Sequence, residues 1–425
     1  MKLINSTAIA LVLGLVAVPA VAQMGSYGAT APQPKPTTTT QSEPAEQPSA
    51  SAQPSIKVSN KALKAIADLQ KAVNANDSAN IPAKLAAAQA VAQTKEDHYV
   101  IGQLQLKAAL NAKDNNAASV AVEALASSGY LPATEVSGLY QSLGVQFYNA
   151  KQYDRAAELF QKAANLTPQS AEPLKLLAEA RNSLGQRAEG AATLMKALQL
   201  SAASGQKPDE ALYKRAVAMA YEAKSPTAVD LGRQWVAAYP SPESWHNALA
   251  IYRNLDQPDS SNAIDILRLA RITNSMQGTG DYHIYAFEAA QQANYGEAKA
   301  VVDEGISSGK IKASDPIVQE IQGVLKGKTA PTAAELAAAE KGAAAPTAFL
   351  RVGDRYYGAG NFQKAADLYR QAGAKGADAN LSNLRLGEAL AQAGDKAGAT
   401  AALTKVTGPS NEIAKFWLVY VQRQG

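Results

Sequence analysis

The sequence predicts an all-α protein, a superhelical solenoid of antiparallel helix pairs that follows a signal peptide and a disordered linker. Three observations predict this fold. The 425-residue chain is rich in alanine, and with 47% hydrophobic but only 18% charged residues it carries the small side chains that closely packed helices need. Apolar residues recur at helical spacing, and the pattern repeats with a period of about 34 residues. No segment shows the alternating pattern typical of a strand.

Residues 1–22 have the features of a secretory signal peptide. Lys2 supplies the positive start, an apolar run follows from Ala8 to Val18, and small residues precede a cleavage point expected after Ala22. The run is shorter than the roughly 20 apolar residues that span a bilayer, so no membrane insertion is expected after cleavage. Because the chain has no cysteine, no lipid anchor is expected. We expect a periplasmic or secreted protein, most simply from a Gram-negative bacterium.

Residues 23–55 form a linker rich in Pro, Thr, Ser, Gln and Ala, with four consecutive threonines from Thr37 to Thr40. Such a composition cannot bury enough apolar surface to offset the entropy of ordering, so the linker is predicted to be disordered. A docking arm and a simple spacer are both compatible with it.

A repeated pattern is clearest after Tyr140. Leu143, Gly144 and Phe147 share one face of a first helix with Tyr140, and Ala156, Phe160 and Ala163 share one face of a second. Gly144 and Ala156 are small where the two helices would cross, and Pro168 would end the second helix. The pattern predicts a helical hairpin that turns between Ala150 and Asp154.

This segment resembles a tetratricopeptide repeat, a helix-turn-helix unit of about 34 residues, with all eight signature positions filled by the appropriate residue class. Later copies carry the same signature less completely. The residues assigned to structural signature positions are Tyr140, Leu143, Gly144, Phe147, Ala156, Phe160, Ala163, Pro168, Gly353, Tyr356, Ala365, Tyr369, Gly387 and Ala399.

The pattern divides the chain into segments. Residues 56–136 are predicted to be degenerate alanine-rich helical repeats, with four helices between Ile56 and Gly129. Residues 137–312 form the main repeat array, and residues 346–413 form two further repeats. Between them, residues 313–345 hold two predicted helices, Pro316 to Leu325 and Ala333 to Lys341, which form either a hinge or a degenerate repeat. Residues 414–425 are a predicted C-terminal capping helix.

The sequence offers no catalytic constellation. Its three histidines have no partner at metal-ligand spacing, and a net charge of +4 spread over 41 basic and 37 acidic residues gives no basic patch for nucleic acid. We therefore expect no enzyme, no cofactor, no metal and no nucleic-acid partner. Trp235, Trp245 and Trp417 could form a platform for sugars, but their helical spacing favours core positions.

The resemblance implies a concave groove, lined by the first helix of each pair, that holds a protein or peptide. For the tyrosines Tyr148, Tyr213 and Tyr221, partner binding and simple packing are equally compatible with the pattern. We expect a periplasmic scaffold, in envelope assembly or polymer export, with a glycan- or peptidoglycan-binding module as the alternative and a hydrolase as a remote one. The groove positions predicted to bind are Gln141, Tyr148, Asn149, Lys175, Glu179, Asn182, Tyr213, Tyr221, His283, Phe287 and Tyr357.

Overall fold

The structure, a computed structural model, describes residues 56–255 and 262–423. Every regular element in these two ranges is helical, so the expected all-α fold is confirmed. None of the helices in the described ranges is long and apolar enough to cross a bilayer. The signal peptide at residues 1–22 and the linker at residues 23–55 lie outside the described residues. Contacts within the chain divide it into two compact units, with the boundary between Val136 and Ser137.

The first unit contains the four helices that the sequence predicts. Asp97, at the start of the third helix, holds the beginnings of two helices together. Its carboxylate accepts hydrogen bonds from the backbone and hydroxyl of Ser59, both at 2.7 Å, and from the backbone of Gln93 at 2.9 Å and Thr94 at 3.2 Å. The helices are α1 (Asn60–Asn74), α2 (Ile81–Val91), α3 (Lys95–Asn111) and α4 (Asn115–Ser127).

The second unit begins within α5 and continues as consecutive helices, most of which pack against the next one along the chain. A short 3-10 helix, Gly408–Ser410, precedes the last α-helix. The helices are α5 (Ala133–Asn149), α6 (Tyr153–Leu166), α7 (Glu172–Ser183), α8 (Arg187–Ala203), α9 (Glu210–Glu222), α10 (Thr227–Ala238), α11 (Pro242–Leu255), α12 (Ala263–Ile272), α13 (Gly278–Gln291), α14 (Tyr295–Ser307), α15 (Pro316–Leu325), α16 (Ala333–Lys341), α17 (Pro346–Gly358), α18 (Phe362–Ala374), α19 (Ala379–Gln392), α20 (Lys396–Leu403) and α21 (Asn411–Arg423).

One backbone turn recurs between the two helices of a pair. A residue with positive φ ends the first helix, and the next amide donates back to a carbonyl five residues earlier, as in the bond from Gln152 to Phe147 at 2.9 Å. Consecutive copies at Lys151 and Gly185 are separated by one repeat length, and so are those at Gly360 and Gly394. The turn therefore repeats with the period of the sequence pattern. The positive-φ residues that form this turn between the two helices of a pair are Asn76, Lys113, Lys151, Gly185, Lys224, Ala293, Gly360 and Gly394.

The signature glycines mark the points where paired helices touch. A Cβ added at Gly144 would lie 2.5 Å from Cε1 of Phe160, and one at Gly353 would lie 2.6 Å from Cε1 of Tyr369. A Cβ added at Gly387 would likewise clash with the side chain of Leu403. In each pair the large side chain is sixteen residues after the glycine and is buried. The helices can approach this closely because the glycine has no side chain, as the sequence pattern predicts.

The second half of unit two departs from a simple row of hairpins. All seven residues from Ile264 to Ala270 on α12 are buried, so this helix is surrounded by other helices rather than covered on one face. The last helix, α21, packs on α19 and α20 and also on α10 and α12. Trp417 of α21 is fully buried and donates to the carbonyl of Asp265 at 3.2 Å. The terminal helix thus does more than cover the last pair.

The irregular segment contains the two predicted helices at the predicted bounds. The capping box that opens α16 is present, since Thr332 and Glu335 exchange hydrogen bonds. Helix α15 packs against α13 and α14, whereas α16 packs against α17. The two helices therefore contact different neighbours rather than each other as a standard hairpin. Whether the segment acts as a hinge stays a prediction.

Candidate functional site

Successive first helices of unit two form a continuous face, which we call the first-helix face, made by α5, α7, α9 and α11. Side chains join each of these helices to the next across about one repeat. Tyr148 is hydrogen bonded to Ser183 at 2.9 Å, and Arg215 makes two bonds to Glu179 at 2.7 and 3.0 Å. Asn254 donates to Tyr221 at 3.2 Å. These bonds fix the spacing of neighbouring first helices.

Most predicted groove residues of α5, α7 and α9 lie accessible on this face. Asn149 and Tyr221 are exposed, with 39% of Tyr221 open to solvent. The others are half-buried and several are held by neighbours, as when Lys175 pairs with Glu172 at 3.0 Å. A face with tyrosine rings, amides and paired charges can bind an extended peptide or a helix, because it offers both apolar area and hydrogen-bonding groups. The half-buried members are Gln141, Tyr148, Lys175, Glu179 and Asn182.

Two predicted binding tyrosines are not available to a partner. Tyr213 is only 7% exposed, and its ring packs edge-on against Tyr239 with centroids 6.1 Å apart. Burial raises the pKa of Tyr213, and the nearby Tyr239 adds to this effect. Tyr357 is likewise 7% exposed, with the guanidinium of Arg268 lying 4.1 Å from its ring centroid. The prediction that these two residues bind a partner is wrong, because the chain itself covers them.

The covering of Tyr357 belongs to a larger arrangement in which side chains of α12 reach the predicted groove positions of α17 and α19. Asp354 and Glu388 hold the same position in two successive repeats, and both are buried. Arg268 of α12 reaches each of them at 3.4 Å. A helix of this chain therefore sits where a partner was expected, with one arginine between two equivalent carboxylates.

Further ion pairs fix α12 in this position. Arg268 binds Glu297 of α14 through two hydrogen bonds of 2.9 Å, and Arg385 of α19 binds Asp354 at 2.6 Å. Burial opposes the ionisation of Glu297, but its pKa is nevertheless lowered because Arg268 lies beside it. Removing one partner from such a buried group leaves the others without compensation and costs several kcal/mol. The network therefore ties α12, α14, α17 and α19 together.

The predicted residues of α13 lie outside this network. Phe287 is 36% exposed, and its ring stacks on that of His283 with centroids 5.9 Å apart. Arg253 of α11 binds Asp281 at the start of α13 at 2.8 Å, so α13 is linked to the first-helix face by the same kind of side-chain contact. His283 and Phe287 are accessible on α13, whereas Tyr148 and Tyr221 lie on α5 and α9.

The three tryptophans are core residues, which removes them as a sugar platform. Trp235 is 3% exposed and donates to Glu210 at 2.9 Å, Trp245 is 5% exposed, and Trp417 is fully buried. Among the described residues no group of three or more His, Asp or Glu side chains is placed to hold a metal ion. What the described surface offers is shape, hydrogen bonding and charge pairing.

Sequence reasoning missed the buried charges, although a signal for them was present. Asp265 and Arg268 lie three residues apart in α12 among isoleucines and leucines, and Arg385 and Glu388 have the same spacing in α19. Charged pairs within helices that carry apolar residues on several faces indicate a buried network, because such residues are rarely buried unpaired.

Comparison with known proteins adds little to this picture. No protein-family model matches the sequence, and no curated protein matches it. Among solved structures, the chain is similar to a tetratricopeptide repeat protein from Parabacteroides merdae, at 15% identity over 60% of this chain and 98% of that chain, with a TM-score of 0.26. It is also similar to pilF of Pseudomonas aeruginosa, at 11% identity over 62% of this chain and 97% of that chain, with a TM-score of 0.25.

Proposed function

We propose that this protein is a non-catalytic periplasmic scaffold that binds a protein or peptide partner through its first-helix face, in envelope assembly or polymer export. One observation carries the proposal. The first helices α5, α7, α9 and α11 are held in register by side-chain bonds, while Tyr148 and Tyr221 remain at the surface. A partner that met this face would find a preorganised surface, which lowers the entropy cost of binding.

Because the chain itself fills the groove at α17, fewer positions remain where a partner can bind. Asp354 and Tyr357, the groove residues of α17, are covered by α12, so they are unavailable unless that helix leaves. The first-helix face has no such covering among the described residues. We therefore place the partner on α5, α7 and α9 rather than along the whole array.

Site-specific photo-crosslinking in cells tests this placement. A photoreactive residue at Tyr148 or Tyr221 should capture the same protein, whereas one at the exposed Lys196 of the second helix α8 should not. Substituting Tyr221→Ala should reduce capture from position 148, because both positions face one ligand. Equal capture from position 196, or capture from position 148 that Tyr221→Ala leaves unchanged, would show that the face is not the binding site.

Residues 1–22 supply the periplasmic part of the proposal. A polypeptide with this leader should be exported and should begin at Gln23 after cleavage. Fractionation of cells followed by mass measurement of the mature N-terminus tests it. Full-length protein that still starts at Met1 in the cytoplasmic fraction would contradict it.

A glycan-binding module remains the second candidate, although the buried tryptophans weaken it. Its remaining candidates are the exposed aromatic rings, chiefly Tyr221 and Phe287. A pull-down with purified peptidoglycan distinguishes the two proposals. Retention that is lost in Tyr221→Ala and kept in a Lys196→Ala control would favour the glycan function.

A further inference from the structure

The buried network around α12 has unequal numbers of positive and negative side chains. Two arginines face four carboxylates, and all six side chains are inaccessible or nearly so. An uncompensated charge at this depth is costly, so a protein ordinarily neutralises it. The six residues, which we call the buried cluster, are Asp265, Arg268, Glu297, Asp354, Arg385 and Glu388.

Two carboxylates of the cluster are fully supplied with donors. Glu297 accepts from Arg268 on both oxygens and from Tyr285 at 2.7 Å. Asp354 accepts from Arg385 at 2.6 Å and from the hydroxyl of Tyr369 at 2.7 Å. Burial opposes the ionisation of Glu297, but Arg268 beside it lowers its pKa, so Glu297 has no reason to hold a proton.

The other two carboxylates each have one oxygen without a donor. Oδ2 of Asp265 and Oε1 of Glu388 are buried and have no hydrogen-bond partner. Their second oxygens lie near one atom, since Nη1 of Arg268 is 3.7 Å from Oδ1 of Asp265 and 3.4 Å from Oε2 of Glu388. The two carboxyl groups therefore flank a single guanidinium nitrogen. An ionised carboxylate can only accept a hydrogen bond, whereas a protonated carboxyl can also donate one.

We propose that Asp265 and Glu388 hold one proton between them, carried by Glu388. Loss of this proton at raised pH weakens the interaction of α12 with α17 and α19. The proton reduces the excess negative charge of the buried cluster from two to one. A metal ion is not placed to do this, because no group of three possible ligands is available among the described residues.

The remaining groups around the pair do not change this assignment. The side chains that face the pair are Arg268 of α12, Asp354 and Tyr357 of α17 and Arg385 of α19. Three further groups face Arg268, namely Tyr285 of α13, Glu297 of α14 and Tyr369 of α18. Burial raises the pKa of Asp265 and of Glu388, and the negative charge of Asp265 raises that of Glu388 further. Burial also raises the pKa values of Tyr285, Tyr357 and Tyr369, so these phenols stay neutral donors.

The proton links stability to pH with a definite sign. Glu388 in the folded protein keeps its proton well above the ordinary glutamate pKa of 4.5, whereas in the unfolded chain it does not. The stabilisation from the bound proton is therefore complete below that value and is lost as pH rises towards the folded pKa. In that window the unfolding equilibrium constant rises by up to about tenfold per pH unit.

The test compares Glu388→Gln with the wild-type protein. Glutamine keeps the shape and donor of a protonated carboxyl but cannot ionise. The ratio of unfolding constants, wild type over variant, should climb as the pH rises above the ordinary glutamate pKa of 4.5, by up to about tenfold per pH unit. The control is Glu304→Gln on α14, where the carboxylate pairs with Arg271 and is 45% exposed. Its ratio should stay flat over the same range.

Infrared spectroscopy gives a second measurement, whose first outcome depends on the wild-type protein alone. Protein labelled with ¹³C at glutamate side chains should show the carbonyl stretch of a protonated carboxyl at neutral pH, and Glu388→Gln should remove it while Glu304→Gln keeps it. A wild-type spectrum with only carboxylate bands would overturn the proposal. So would a stability ratio for Glu388→Gln that does not change with pH.

Discussion

The two glycines of α5 give a matched test of how the helices of one hairpin touch. A Cβ at Gly144 would lie 2.5 Å and 2.8 Å from two ring carbons of Phe160, which is fully buried and cannot move aside. A Cβ at Gly138, on the same helix, would meet nothing within 4 Å. Alanine at either position gains about 1 kcal/mol of helix propensity over glycine. Only at Gly144 does overpacking oppose that gain, by about 1–3 kcal/mol.

The expected result is a difference between two single variants. Gly138→Ala should raise the free energy of unfolding by about 1 kcal/mol, and Gly144→Ala should fall below it by about 1–3 kcal/mol. Urea denaturation followed by circular dichroism at room temperature measures both. Since helix propensity contributes equally to the two variants, the difference isolates the contact with Phe160.

A double variant tests the cause. Phe160→Leu removes the ring atoms that the new Cβ would strike, so Gly144→Ala should cost less in that background, with a coupling of about 1 kcal/mol or more. Equal stability of Gly138→Ala and Gly144→Ala, or no coupling to position 160, would show that the helices do not cross at this glycine. The assigned register of the repeat would then be wrong.

Three further substitutions probe other parts of the fold. Trp417→Ala should destabilise the protein by about 3–5 kcal/mol, because it empties a fully buried site next to α12; a loss below about 1 kcal/mol by urea denaturation would contradict that packing. Asp97→Asn should lower the free energy of unfolding of the first unit by about 2 kcal/mol at neutral pH. Although burial opposes ionisation, four hydrogen bonds lower the pKa of Asp97, so its stabilisation is present at neutral pH and lost on acidification. The stability of the variant, measured by urea denaturation, should therefore fall less steeply with acidification than that of the wild type. Lys151→Gly should stabilise by about 1 kcal/mol, since Lys151 has φ of 61° where Gly185 serves in the next repeat; thermal melting of Lys151→Gly beside Gly185→Lys should show opposite shifts.

Short-range features of the fold could be predicted from the sequence because their causes lie within one repeat. Gly144 and Phe160 are sixteen residues apart, so helical periodicity alone places them at the crossing of one hairpin. The capping box at Thr332 and Glu335 is similarly local, and α16 begins where it predicts. Such features need no knowledge of how distant repeats meet.

Contacts between distant repeats could not be predicted in this way. Arg268 and Glu388 are 120 residues apart, and nothing in the spacing of either helix identifies the other as its partner. Repeat reasoning treats α12 as an ordinary second helix with one buried face, whereas Asp265 and Arg268 are buried as well. The pattern predicts Tyr357 as a groove position for the same reason: it identifies the position but not what fills the groove.

The groove positions of the two halves of unit two carry different charges, and this difference explains why Arg268 of α12 binds those of the second half. In the second half, Asp354 and Glu388 repeat a carboxylate at the same position, and a buried arginine from α12 binds both. In the first half, the corresponding position of α5 is the uncharged Val145, and the charges of α7 and α9 pair across the face, as Glu179 does with Arg215. Arg268 would find no pair of carboxylates there, so burying its guanidinium would remove it from water without an opposite charge to stabilise it. The charge pattern thus favours the contact of α12 with the second half.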